Sequence, residues 1–515
     1  MKLVGLTVQA LYVSSTAAPI HFDLFAASTS LFAGISVSIL AALAPAMEAG
    51  QVPPTEAMAR GRIETQVHEA SGWYLWLSLG LIAAAGGLSL LPSFAGKPLG
   101  GYVAAVLLIG AASLAAPRAI EVGTRLLGGF AGVESLLAGR SLAGSLRRSS
   151  VLVAALATAI AMMTSIGIMV GSFRETMMVW MDTQIRADFY LRPAGDAALD
   201  RHPSIGEDVT TKIEKIPGVE AVDRFRAYTI RYEGLPATLA AGDVAAQMRY
   251  GRAPLKAGNR EDAIRAMQAG EAVLVSEPFS EKHRLRVGDR VTLSLGTQKP
   301  SFRVAGIYYD YSSENGYIVL DVNVMKRYLP LDEPSGLAVY LQPGADRAAL
   351  KTAIEKSYEG RRIVVFENGS LRREAERIFD QTFAVTYALE AVAIFVAVMG
   401  VAGAMLALII DRRREIGLLR FLGAGSVQVR RLVLFEAAYI GLFSQLLGLA
   451  AGFLLSFVLI FVINKQSFGW TIQFHLPVVA LLGAVAFVYA STILAGLYPA
   501  QVATKINPIE VMHEE

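Results

Sequence analysis

The chain has 515 residues, 54% of them hydrophobic and only 18% charged, with a mean hydropathy of +0.45, so membrane spans are the first feature to look for. A net charge of +3, with no basic run interleaved with aromatic residues, gives nucleic-acid binding no support. The lack of cysteine excludes disulfides, iron–sulfur clusters and thiolate zinc sites, and the six histidines (His21, His68, His202, His283, His475 and His513) are scattered without an HExxH spacing.

The opening MKLVGLTVQALYVSSTAAP joins a lysine, a short apolar run and small residues, as a cleavable signal peptide does. An internal repeat, described below, favours instead the tail of a membrane helix over Leu3 to Val13. A bilayer core needs about 20 mostly apolar residues per helix. Residues 25–47, 73–91, 100–117, 151–173 and 477–499 meet this with no charge, while 383–410 and 432–463 hold one acid each, Glu390 and Glu436. About seven transmembrane helices are expected.

Lysine and arginine in the short loops orient them. If the chain enters the first span from outside, the inner loops carry Arg60 and Arg62, then Arg118, Arg125, Arg140, Arg147 and Arg148, then Arg412 to Arg414, Arg420, Arg430 and Arg431. The outer short loops offer only Lys97 and Lys465. The region from 174 to 380 is then outside and the carboxy terminus inside.

That outer region alternates helix-like and strand-like patterns. IGEDVTTKIEKI reads as a helix ending at Pro217-Gly218, and VEAVDRFRAYTIRYEG and EAVLVS as strands. RLRVGDRVTLSLG places a turn before a strand, SFRVAGIYYDY is strand-like, and Asn315-Gly316 between apolar flanks is a hairpin signal. The expected fold is an α-helical membrane protein with one α+β extracytoplasmic domain. After that domain, LRREAERIFDQTF sets Leu371, Ala375, Ile378 and Thr382 on one side of a helix that runs on into the next span as a stalk.

The closing AGLYPAQVATKINPIEVM overlays AALAPAMEAGQVPPTEAM without a gap, so that Pro499, Pro508, Glu510 and Met512 fall on Pro45, Pro54, Glu56 and Met58. Similar lead-ins, IQFHL and IHFDL, precede the two copies. Duplication accounts for this register better than coincidence. In each copy proline breaks a helix at the inner surface, and a short interfacial segment follows.

Between the spans at 383 and 432 stands DRRREIGLLRFLGAGSVQVRRLVLFEA. Ile416, Leu418, Leu419 and Leu422 supply an apolar face, Arg412 to Arg414 and Arg420 supply charge, and Gly423-Ala424-Gly425 stops the helix. The segment resembles the REIGLLRxLGA signature of the FtsX-like permease superfamily. The closing PAxxAxxxxPIEVM, and LAGRSLAGSLRRSSVLVAALATAIAMM as elbow helix and first span, resemble the same family in the same order.

The resemblance implies a permease subunit of an ABC transporter, of the MacB or LolC type. In it Arg414, Glu415, Ile416, Gly417, Leu418, Leu419, Arg420, Leu422, Gly423 and Ala424 form a coupling helix seated in a separate ATPase. Ten-span members would make the spans here the fourth to tenth, with the chain amino-terminally incomplete. Residues 1–62 would then close a first core, 73–117 be two linking helices, and 118–150 a cytoplasmic linker and elbow. A span over 151–173, the outer domain over 174–370, a stalk over 371–382 and a second core over 383–515 would follow.

No catalytic site is expected, since the one Gly-Lys pair, Gly96-Lys97, precedes a proline rather than completing a phosphate-binding loop. ATP and Mg would belong to the partner ATPase, a homodimer, and this chain would bind no cofactor. Membrane lipid, and a lipoprotein or peptide substrate, complete the implied partners, at the bacterial cytoplasmic membrane. Glu390 and Glu436 are assigned gating or structural roles, because acids inside spans are costly. A permease that instead controls a cell-wall hydrolase or a sensor kinase shares this plan, and nucleotide-independent transport is the third reading.

Overall fold

A computed structural model describes residues 24–51, 61–94, 97–127, 132–193, 204–244, 254–329 and 333–505. Leu3 to Val13, Pro54, Glu56 and Met58, and Pro508, Glu510 and Met512, on which the expected helix tail and repeat rest, lie outside them. Apolar runs without water to satisfy their backbone must close their hydrogen bonds internally, which makes them helices. They are α1 (Leu24–Gln51), α2 (Gly61–Ser89), α3 (Leu99–Leu127), α4 (Val133–Gly144) and α5 (Leu146–Gln184).

Beyond the sheet domain come α11 (Asn368–Asp411), α12 (Arg413–Phe421) and α13 (Ser426–Phe457), the last continuing through a π-helical turn (Val458–Asn464) into α14 (Lys465–Phe468). Then follow α15 (Val478–Ala495) and α16 (Leu497–Thr504). Among the described residues six helices are long and apolar enough to span a bilayer, and α1 covers the seventh expected span.

The bundle packs closely because glycine lets backbones meet. A Cβ on Gly448 or Gly452 of α13 would lie 2.7 Å from Ile160 or 2.6 Å from Thr164 of α5. Around that contact Ile120, Leu142, Leu156, Val401, Met405, Ile440 and Phe443 form one buried core drawn from α3, α4, α5, α11 and α13.

The sheet domain is a pair of lobes joined by one long strand. Its strands are β1 (Phe189–Pro193), β2 (Val219–Tyr232), β3 (Leu235–Gly242), β4 (Leu255–Ala257), β5 (Ala272–Ser276), β6 (Arg290–Thr292), β7 (Ser301–Tyr308), β8 (Tyr317–Asp321), β9 (Gly336–Leu341) and β10 (Ile363–Glu367). The helices between them are α6 (Glu207–Glu214), α7 (Arg260–Ala269), α8 (Glu277–His283), α9 (Val322–Met325) and α10 (Arg347–Ser357).

Strand order is β10-β1-β9-β2-β3-β8-β5-β7-β4, with β6 on β7. The first half of β2 pairs with β9 in the first lobe, over a core of Phe189, Leu191, Val209, Ile213, Val339 and Ile354. Its second half pairs with β3 in the second lobe, over Val273, Phe279, Phe302, Val304 and Ile318. The α+β expectation holds.

Two expectations change. Residues 174–184 do not open the outer domain but prolong α5, so the stalk is a pair of helices, joined by Arg174–Asp380 (3.0 Å), Arg372–Asp182 (2.6 Å) and the tilted ring contact of Phe173 with Phe379. Asn315-Gly316 does not make a hairpin, because β8 pairs with β3 and β5 rather than with β7. Gly316 (φ +79°) is needed for another reason: a Cβ there would lie 2.5 Å from the backbone nitrogen of Phe279.

Asp223 sits opposite Ala338, which sits opposite Tyr190, on the sheet face away from the first-lobe core. Burial, with Asp243 nearby, pushes its carboxyl from 3.8 up to about 7. The folded state therefore holds a proton that the unfolded state releases, and its contribution is full below about pH 4 and lost as pH rises through about 7. Thermal unfolding of the full chain should show that decline, and Asp223→Asn should flatten it.

Candidate functional site

The end of the bundle farthest from the sheet domain is built around a break in helix direction. At Arg412 the backbone (φ −101°, ψ 17°) ends α11 and starts α12. The Arg412 guanidinium lies 2.8 Å from Glu415, 3.3 Å from Glu436 of α13, and donates to the hydroxyl of Ser141 in α4. Ser141 in turn donates to Glu436, whose side chain is 5% exposed. A buried carboxylate persists only when it is paired in this way. One turn along, the hydroxyls of Tyr439 and Ser135 pair as well, so α4 is fastened to α13 at two points.

The nine residues of α12 divide into two faces rather than presenting one. Ile416 and Leu418 are two positions apart, about 200° around a helix, and cannot share a side. Ile416 is 7% exposed and joins the core with Met405 and Val429, and Gly417 is buried beside it. Leu418, Phe421 and Leu422 point outward at 53%, 65% and 74% exposure, with Arg414 and Glu415 also exposed. Leu419, Arg420 and Ala424 are half-buried between the faces, and Arg420 donates to the Thr504 carbonyl of α16 at 3.0 Å.

Gly423 (φ +102°) stops the helix, returning the Gly423 and Ala424 amides to the carbonyls of Arg420 and Leu419. The structure thus brings the expected segment together, assigns Ile416 to the anchor and adds Phe421 to the ridge. Arg412, Ser141 and Phe421 were not singled out from sequence as site residues, and only Phe421, at helical spacing from Leu418, carried a signal there.

Glu436 belongs to the Arg412 cluster. Glu390 is half-buried in α11, and its Oε1 is enclosed without a hydrogen-bond partner among the described residues.

The profile of the FtsX-like permease C-terminal domain matches residues 388–508, which include all of this site's α12, α13 and α16, and that of the MacB-like periplasmic core domain matches 149–357. The chain carries an FtsX-like permease C-terminal domain and a MacB-like periplasmic core domain. An uncharacterized ABC transporter permease of Mycobacterium tuberculosis is 30% identical over 485 residues, 91% of this chain and 56% of that protein. An uncharacterized ABC transporter permease of Methanocaldococcus jannaschii is 24% identical over 242 residues, 45% of this chain and 58% of that one. A macrolide export ATP-binding/permease protein, MacB, of Sodalis glossinidius is 27% identical over 215 residues, 40% and 31% of the two chains. The permease described here spans little more than half the length of the first two relatives. Its sheet domain is the extracytoplasmic part of a membrane-spanning permease.

Arg412→Ala in the permease leaves Glu436 buried beside Ser141 without its cation. Unfolding of the full chain should show a loss of about 3 kcal/mol. Adding Glu436→Gln should recover part of it, because the neutral amide needs no counter-charge.

Proposed function

We propose that this permease passes ATP-driven movement in a separate ATPase to its extracytoplasmic domain, for the extrusion or mechanical handling of an amphiphile such as a lipid, lipoprotein or peptide. The observation that carries the reading is the outward ridge of Leu418, Phe421 and Leu422 on a helix anchored by Ile416, Arg412 and Arg420. An apolar ridge on a short, immobilised helix is suited to a cleft on a partner, and its anchor is suited to carry a load. The arginine-rich loops support a cytoplasmic position for this end, and with it for the carboxy terminus.

The ATPase, a homodimer, holds ATP and Mg. The fused ATP-binding and permease parts in the name of the Sodalis glossinidius relative support such a partner. On this reading Arg414, Glu415, Leu418, Leu419, Leu422 and the Gly423-Ala424 stop form the docking surface, with Phe421 added. Ile416, Gly417 and Arg420 hold it in place. Glu436 is a structural counter-charge, and Glu390, whose Oε1 has no hydrogen-bond partner among the described residues, is the residue assigned to gating.

The test is ATPase turnover of the purified complex in nanodiscs. Glu415→Lys and deletion of Leu418 and Leu419, which also disturb the Arg412 and Arg420 anchors, and Leu418→Asp with Phe421→Asp, which alters the ridge alone, should all abolish stimulation of turnover by the permease, the last with its own unfolding transition in place. Unchanged turnover in all three would sink the proposal. Co-purification with a kinase or a wall hydrolase instead of a lipid or peptide would transfer it to the regulatory reading.

A further inference from the structure

Both stalk helices join the same lobe of the outer domain: α5 leads into β1, and α11 leaves β10. The second lobe, β3 to β8, is linked to the first by the run of β2 and the return to β9. Among the described residues it also meets the membrane bundle through a strap, residues 469–477, which crosses between α14 and α15.

The strap has no regular secondary structure, so its backbone groups need partners outside itself. Alternate residues find them on two different bodies. Gln473 N–H is held at 3.0 Å by the Thr176 hydroxyl of α5, and His475 exchanges hydrogen bonds with Ser172 of α5, its N–H donating at 3.0 Å and its carbonyl accepting at 2.9 Å. Thr471 turns the other way, to the second lobe. Its N–H and hydroxyl donate to Glu277 at 2.9 and 2.7 Å, and its carbonyl accepts from Tyr311 at 2.8 Å.

Glu277 is wholly buried at the start of α8, and Lys256 of β4 completes its shell at 2.6 Å. Lys256 also reaches Glu281 (2.8 Å), which reaches Lys465 of α14 (3.4 Å). The ion chain therefore runs from the bundle into the lobe on one side of the strap and meets Thr471 on the other. Burial works against the Lys256 charge, but its two carboxylate partners outweigh that and hold its pKa above the usual value. Burial likewise opposes the Glu281 charge, which Lys256 and Lys465 restore, holding that carboxyl below its usual range. Gly469 (φ +76°) brings the strap against α8, with 3.4 Å left between a built Cβ and Pro278.

We infer that the Glu277–Thr471 contact is a second transmission joint, through which the outer ends of α13 and α15 set the angle between the two lobes, while the stalk is continuous with the first lobe and touches the second by the ring contact of Trp180 with Tyr311. Glu277 is a positioning residue in this scheme: it acts on the lobe through the strap. The inference rests on the mechanical reading above, since a joint of this kind matters only if the bundle moves.

The lobe angle can be read without any ATPase, which separates the two proposals. The chain has no cysteine, so Lys215→Cys in the first lobe and Gln298→Cys in the second, both exposed, accept nitroxide labels in the full chain in nanodiscs. Their separation by pulsed electron resonance should be one narrow peak in the parent, and that peak should be lost to a broad distribution in Glu277→Gln and in the milder Thr471→Val. Exchanging every charge of the chain, Lys465→Glu, Glu281→Lys, Lys256→Glu and Glu277→Lys together, keeps each ion pair but puts a donor where the Thr471 N–H needs an acceptor. The joint predicts that the broad distribution persists in the exchange, whereas a contact serving only stability would be rescued. An unchanged narrow peak in Thr471→Val and Glu277→Gln overturns the inference. A narrow peak whose loss tracks these variants, in a chain that no ATPase binds, would leave the joint standing and remove the coupling reading.

Discussion

The guanidinium of Arg412 sits where three helices meet and holds a carboxylate that would otherwise be uncompensated in the interior. Its position in the break between α11 and α12 fixes the angle at which α12 leaves the bundle. Because Glu436 lies in α13 and Ser141 in α4, the same contact binds the elbow, the stalk-bearing helix and the central helix to one another at the end away from the sheet domain. Rotation of α12 would have to break a buried ion pair, at about 3–5 kcal/mol, or carry all three elements with it.

From there the structure offers continuous paths outward. Glycines at 448 and 452 press α13 against α5, so the two act as a unit through the bilayer. The stalk continues α5 and α11 as a pair into the first lobe, held by ion pairs and by ring contacts of Phe173 with Phe379 and Phe383. The other path ends at the strap and the second lobe. A domain of two lobes on two supports converts relative sliding of helices into a change of angle, because interfaces packed this tightly shift as rigid bodies.

Much of this plan was legible in the residues. Unbroken apolar runs marked the spans, since only helices satisfy backbone groups in lipid, and runs such as VEAVDRFRAYTIRY and AVLVS marked β2 and β5. What depends on distant pairing was not. Asn315-Gly316 carries a local turn signal, yet strand order is decided across the sheet, and β5 lies between β7 and β8. Ile416 and Leu418 read as one apolar face until helical geometry separates them. Glu277 carries no local signal, because its partner Thr471 is 194 residues away, and Ser141 lies 295 residues from Glu436. Arg412 was visible as one more positive charge in an arginine run, with nothing to show that it turns inward while its neighbours Arg413 and Arg414 are exposed.

The claim on which the account turns is that the ridge of α12 faces the cytoplasm and is covered there by another protein. A single Leu422→Cys in this cysteine-free chain, probed with a membrane-impermeant maleimide, tests it directly. The thiol should stay unlabelled in intact cells, react once the membrane is permeabilised, and be protected when the ATPase is bound, while Lys215→Cys reacts from outside throughout. Labelling of position 422 in intact cells, or equal labelling with and without the ATPase, would contradict it.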